Sequence, residues 1–191
     1  MRCIASPTRT SILRLEILAG LAFTVTACPG RRESTIAAFL DDMKELALGP
    51  SLTVDKIRST LAVDFTKDEN SSHETVTFLI GKPLPRTRSG RLIERVDCRV
   101  PTAQNSVTAE LFVVFELQPG QGTKDTVELK REDVVARFGQ PDIFQPNLPE
   151  NSESSASLIY KLGKRALWFS LGRRDEERVI AVSIHPADDA R

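Results

Sequence analysis

The chain has 191 residues, 26 Lys and Arg against 26 Asp and Glu, a formal net charge of zero and 40% hydrophobic residues. With no basic excess and no long run of like charge, it offers no field that would recruit nucleic acid. Its length suits one domain or two small modules.

The first residues read as a leader. Arg2, Arg9 and Arg14 make a positive start, and 17–27 is an apolar stretch of eleven residues. That stretch is too short to span a bilayer, which takes about 20 apolar residues, so a signal-peptide core fits better than a transmembrane helix. Glu16 at its edge is a charge that weakens insertion. The stretch ends in Val25-Thr26-Ala27-Cys28, which resembles the lipobox of bacterial lipoproteins. The resemblance implies a signal peptide over 1–27, cleavage before Cys28, a diacylglycerol on its sulfur and a fatty acyl group, such as palmitate, on its new amino group. It also implies anchorage in the cell envelope. Pro29, where Asp would favour inner-membrane retention, suits the inner leaflet of the outer membrane, facing the periplasm. An ordinary secretory leader with a coincidental cysteine, or a buried first helix, competes with this reading.

Setting the leader aside leaves 164 residues, from 28 to 191, at a formal charge of −2. Cys3 leaves with the leader and Cys28 takes lipid. Cys98 is then alone, so no intramolecular disulfide is expected. Val96, Cys98 and Val100 share one face of an alternating segment, and no His or Cys neighbours Cys98 in sequence. A buried structural thiol is expected there.

A short tether is expected over 28–33. From Ser34, a plausible cap, Ile36, Phe39, Leu40, Met43, Leu46 and Ala47 recur at helical spacing until Gly49-Pro50 stops the helix. Thr53 caps a second helix, with Leu52 and Ile57 at hydrophobic-staple positions and Ile57 and Leu61 facing inward. The period then changes to two. Strands are expected from 75, over 91–100 and over 106–117, where Val107, Ala109, Leu111, Val113, Phe115 and Leu117 fall on one face and Phe112 and Val114 on the other. Pro119-Gly120-Gln121-Gly122 marks a boundary.

A third helix is expected over 130–138, with Gly139 in a left-handed cap and Pro141 forbidding continuation. A polar loop over 145–157 precedes strands over 157–162, 166–171 and 178–185. Leu52, Asp55, Ile57 and Leu61 match Leu129, Glu132, Val134 and Phe138 at an offset of 77. The expected fold is therefore α+β: two related modules, 34–118 and 129–186, each a helix plus a three-stranded antiparallel sheet in two layers, with a linker over 119–128 and a tail over 187–191.

The run from Glu132 through Val134, Phe138, Gly139 and Pro141, followed by strands carrying Tyr160 and Trp168-Phe169, resembles the SmpA/OmlA-type outer-membrane assembly lipoproteins. It is also similar to the tandem modules of the β-lactamase inhibitory proteins. The resemblance covers about residues 129–185. It implies a lipid-tethered module whose sheet binds another protein.

Catalytic patterns are not found in the sequence. His73 and His185 are its two histidines. No Ser-His-Asp or Cys-His arrangement, zinc spacing or phosphate loop can be assembled from the order of residues. No enzyme activity, metal or cofactor is expected. The candidate site is a surface: Trp168 points opposite Leu167, Phe169 and Leu171, with Lys164 and Arg165 at the strand start, and Phe112 and Val114 on the minor face of their strand. These five are the expected partner-binding residues. The expected function is a lipid-anchored accessory or assembly factor of an envelope complex. The rival is a periplasmic inhibitor or immunity protein that blocks a toxin or hydrolase.

Overall fold

The computed structural model describes residues 29–72, 74–84, 87, 89–102, 111–118, 127–146 and 153–189. The leader with Cys28, the linker core over 119–126, His73 and the first part of the expected third strand, 106–110, lie outside the described residues. Helix α1 is Pro29–Leu48 and α2 is Val54–Leu61. Strands β1 Val63–Lys67, β2 Val76–Pro83, β3 Ile93–Pro101 and β4 Phe112–Leu117 follow, with a 3-10 turn at Ser89–Arg91. The second half is α3 Arg131–Phe138, then β5 Ile143–Pro146, β6 Ser154–Leu162, β7 Arg165–Gly172 and β8 Val179–Pro186.

The eight strands form one antiparallel sheet in the order β1-β2-β3-β4-β8-β7-β6-β5. This overturns the two-module expectation in two respects. Each half supplies four strands rather than three, and the halves are merged where β4 pairs with β8, Val113 opposite Ile184 and Phe115 opposite Val182. Alternation along a strand fixes which side chains share a face, but not which strand lies alongside. The two added strands close the ends of the sheet, are only five and four residues long, and carry too few apolar positions for a period to show. Their shortness, with Asp64, Lys67 and Pro146 within them, suits edge strands that resist pairing with another chain.

The three helices lie on one face. α1 buries Phe39, Leu40, Met43 and Leu46 against Phe115, Phe169 and Val182 of the sheet in one continuous core. It begins at Pro29, a residue suited to a first helical turn, so the stretch expected as a tether is helical. In α2 the Thr53 Oγ1 accepts from Lys56 N–H at 3.1 Å, satisfying one of the end's unpaired donors, and Leu52 and Ile57 are both buried. α3 occupies the same stretch displaced by 77 residues, and Val134 is buried where α2 buries Ile57.

Both helices stop on a positive φ: Ala62 at 51° and Gly139 at 83°. Gly139, with ψ −161°, sits beyond the left-handed helical region, in a region essentially reserved for glycine. Gly81 of β2 leaves the space that the Val63 and Phe65 side chains fill as β1 folds across it. Cys98 is fully buried in the core, and burial pushes its thiol up to about 12.

Candidate partner-binding face

Parity divides the sheet. Residues in step with Phe115, Phe169 and Val182 face the helices. The alternate set faces the other way, and among the described residues no helix covers that side. One lateral row crosses all eight strands there: Thr66, Ile80, Asp97, Val114, Ser183, Trp168, Ile159 and Ile143. Over β5 to β7, Ile143 and Trp168 pack on Ile159 and Ala166, a satellite cluster separate from the main core. That packing leaves Trp168 half-buried rather than exposed. Its indole Nε1 is buried with no hydrogen-bond partner among the described residues, which is uncommon for a buried donor.

An aromatic and cationic stripe runs diagonally from this cluster to β2. Trp168 stacks on His185 with ring centroids 4.6 Å apart and planes at 27°. His185 meets Phe112 edge-on at 4.5 Å. The Arg99 guanidinium carbon lies 4.9 Å from the Phe112 ring centroid and 5.5 Å from that of Phe78, within cation–π range of both. Beside the stripe, over β2 to β4, a groove of about 350 Å³ is lined in part by Phe78, Ile80, Val114 and the charged Arg95, Asp97, Arg99 and Glu116. Arg95 Nε donates to Asp97 Oδ1 at 2.7 Å. Ser71 hydrogen bonding holds the Asp68 carboxyl at its rim below the usual carboxylate range.

Of the five expected partner-binding residues, Trp168, Phe112 and Val114 lie on this face, all half-buried. Lys164 is exposed in the tight turn between β6 and β7. Arg165 is a correction. It is 5% exposed and faces the helices, where its Nη1 donates to the carbonyls of Ala47 at 3.2 Å and Gly49 at 2.7 Å. It closes the C-terminus of α1, whose last carbonyls lack helical partners and carry partial negative charge. Parity had the answer, since Arg165 is in step with Leu167 and Phe169; charge at a strand start argued the other way.

Sequence reasoning missed His185, Arg99 and Phe78. His185 is in step with the uncovered side once Val182 and Ile184 face inward, and Arg99 once Cys98 does, but their contacts cross strands whose order the sequence does not reveal. The structure also brings Ser183 Oγ within 2.7 Å of His185 Nε2. β8 is flanked by β4 and β7 at this point, so the backbone N–H groups around Ser183 belong to the ladder and are not available to hold an oxyanion. The pair orients the imidazole between Trp168 and Phe112. Among the described residues no group of three or more His, Cys, Asp or Glu could hold a metal ion, and no helix is long and apolar enough to cross a membrane.

No family model matches the chain, and no curated protein matches it. Among solved structures it is similar to a DUF4309 family protein, YjgB, from Bacillus subtilis subsp. subtilis str. 168, with a TM-score of 0.42 and 8% identity over 82% of this chain and 99% of that one. Neither fold nor function is transferred from it.

Proposed function

We propose that the chain is a lipid-anchored binding protein of the cell envelope, an accessory or assembly factor of an envelope complex, and that it binds its partner through the sheet face opposite the helices. The observation that carries this reading is the stripe of Trp168, His185, Phe112, Arg99 and Phe78 on a face that no described helix covers. Trp and Arg flanked by other aromatics are the composition of binding hot spots. The lipobox-like Val25-Thr26-Ala27-Cys28 supports anchorage, and several acyl chains hold a protein durably where one chain does not. A binding role is consistent with the Ser183–His185 pair lying within the β4–β8–β7 ladder, where the surrounding backbone N–H groups are engaged in strand pairing.

Two measurements test the reading. Radiolabelled palmitate should enter the wild type and not Cys28→Ala; equal labelling removes the anchor. Crosslinking in intact cells should capture membrane-complex subunits with the wild type, and Trp168→Ala should capture fewer per folded molecule. Capture of one soluble hydrolase or toxin instead would favour an inhibitor or immunity role.

A further inference from the structure

We propose that Arg99 is the carboxylate-receiving centre of this face, and that the partner presents to it an acidic side chain on an extended segment whose next same-side residue is apolar. This rests on the reading of the face as a binding surface and names what it recognises. Arg99 is exposed. Its guanidinium is held between Phe78 and Phe112, and none of the ion pairs or hydrogen bonds among the described residues engages it. Arg95, four residues away on the same face, is already bonded to Asp97. A guanidinium restrained by aromatic rings on two sides, with its N–H donors unspent, is prepared for planar carboxylate recognition at little further entropic cost.

The groove beside it narrows the choice of anion. Asp68, Asp97 and Glu116 share that groove with Arg95 and Arg99, so carboxylates outnumber guanidiniums and a phosphate dianion is repelled. A singly charged carboxylate is better tolerated. In the next same-side row Ile80 and Val114 flank Asp97, whose carboxylate Arg95 already engages, and they supply the apolar part of the floor one step along. Alternate residues of an extended strand are about 6.6–6.8 Å apart at about 3.3–3.4 Å per residue. One acidic and one apolar side chain at that spacing would reach Arg99 and the floor together.

The full chain in detergent micelles, with the Arg99 Nε–H resonance observed by NMR, tests this with three probes. These are the capped peptide acetyl-Glu-Ala-Leu-Ala-amide, its Gln analogue in place of Glu, and inorganic phosphate. The Glu peptide should shift the Arg99 resonance saturably and bind at least tenfold more tightly than the Gln analogue, with phosphate leaving the resonance in place. Arg99→Met keeps an unbranched stem between the two rings and removes the charge. It should reduce Glu-peptide affinity tenfold or more and leave the Gln analogue unaffected. Equal affinity for the two peptides, no saturable shift, or a phosphate shift as large as the peptide's would overturn the proposal. Should Arg99→Met lower the melting temperature, the wild-type comparison of the three probes decides alone. Failure here while crosslinks from this face persist in cells would sink the carboxylate assignment and leave the binding face standing.

Discussion

Removing the Arg165 guanidinium should cost far more stability than removing a surface charge. Its Nη1 bonds the Ala47 carbonyl in the last turn of α1 at 3.2 Å and the Gly49 carbonyl just past its end at 2.7 Å, from a side chain that is 5% exposed. Hydrogen bonds from a charged donor contribute about 1.5–3 kcal/mol each. A cation at a helix C-terminus adds about 0.3–1 kcal/mol, more when partly buried. One nitrogen serves both carbonyls and the dipole effect overlaps with those bonds, so the contributions do not simply add. A loss of about 3 kcal/mol for Arg165→Ala is the reasoned figure. Trp168, the chain's one tryptophan, reports unfolding in urea, where slopes are about 1–3 kcal/mol/M. The midpoint should therefore fall by about 1–3 M. Arg165→Lys, a point charge without the planar fork, should recover only part of the loss. An Arg165→Ala midpoint within error of wild type, with partner capture reduced per folded molecule, would refute the capping role and return Arg165 to the binding surface.

Phe115→Ala should destabilise by about 3–5 kcal/mol, since Phe115 is fully buried on the helix-facing side of β4; an unchanged urea midpoint contradicts this. Gly139→Ala should cost about 1–3 kcal/mol from backbone strain alone, because nothing lies within 4 Å of the added Cβ. Ala62→Gly, at φ 51°, should gain about 0.5–1 kcal/mol by relieving the opposite misfit. Opposite movements of the two melting temperatures check both. Burial raises the Asp42 carboxyl above its ordinary range, against the hydrogen bond that Ser89 Oγ donates to it. The folded state therefore holds that proton more tightly than the unfolded chain, and stability is lost as pH rises from the ordinary carboxylate range through the raised value. Asp42→Asn should raise the melting temperature at pH 7, with the gain vanishing below about pH 4. A gain that persists at low pH would contradict the burial argument.

Helices α2 and α3 were legible because each carries its own punctuation. Thr53 caps α2, Gly139 ends α3, and the offset of 77 places both. The facing of β4 and β7 was equally legible, because Val113, Phe115 and Leu117, then Leu167, Phe169 and Leu171, leave parity one solution. What did not show was lateral order. The pairing of β4 with β8 depends on edges complementary across 65 or more residues of chain, and no local period records it. The same gap hid the rest of the aromatic and cationic stripe around Trp168 and Phe112. Phe78, Arg99 and His185 are each unremarkable within their own strand and acquire meaning only as neighbours. Arg165 is the reverse case: its parity with Leu167 and Phe169 is legible, but the carbonyls past the end of α1 that make burial of its charge favourable lie more than 100 residues away.

The sheet face opposite the helices as the partner-binding surface is tested most directly by photocrosslinking in intact cells. A benzoylphenylalanine replacing Phe112 on that face is compared with one replacing Arg58, which is exposed on α2 in the helix layer. A discrete adduct with an envelope protein is expected from position 112 and none from position 58. The same adduct from position 58 alone, or from both positions equally, would contradict it.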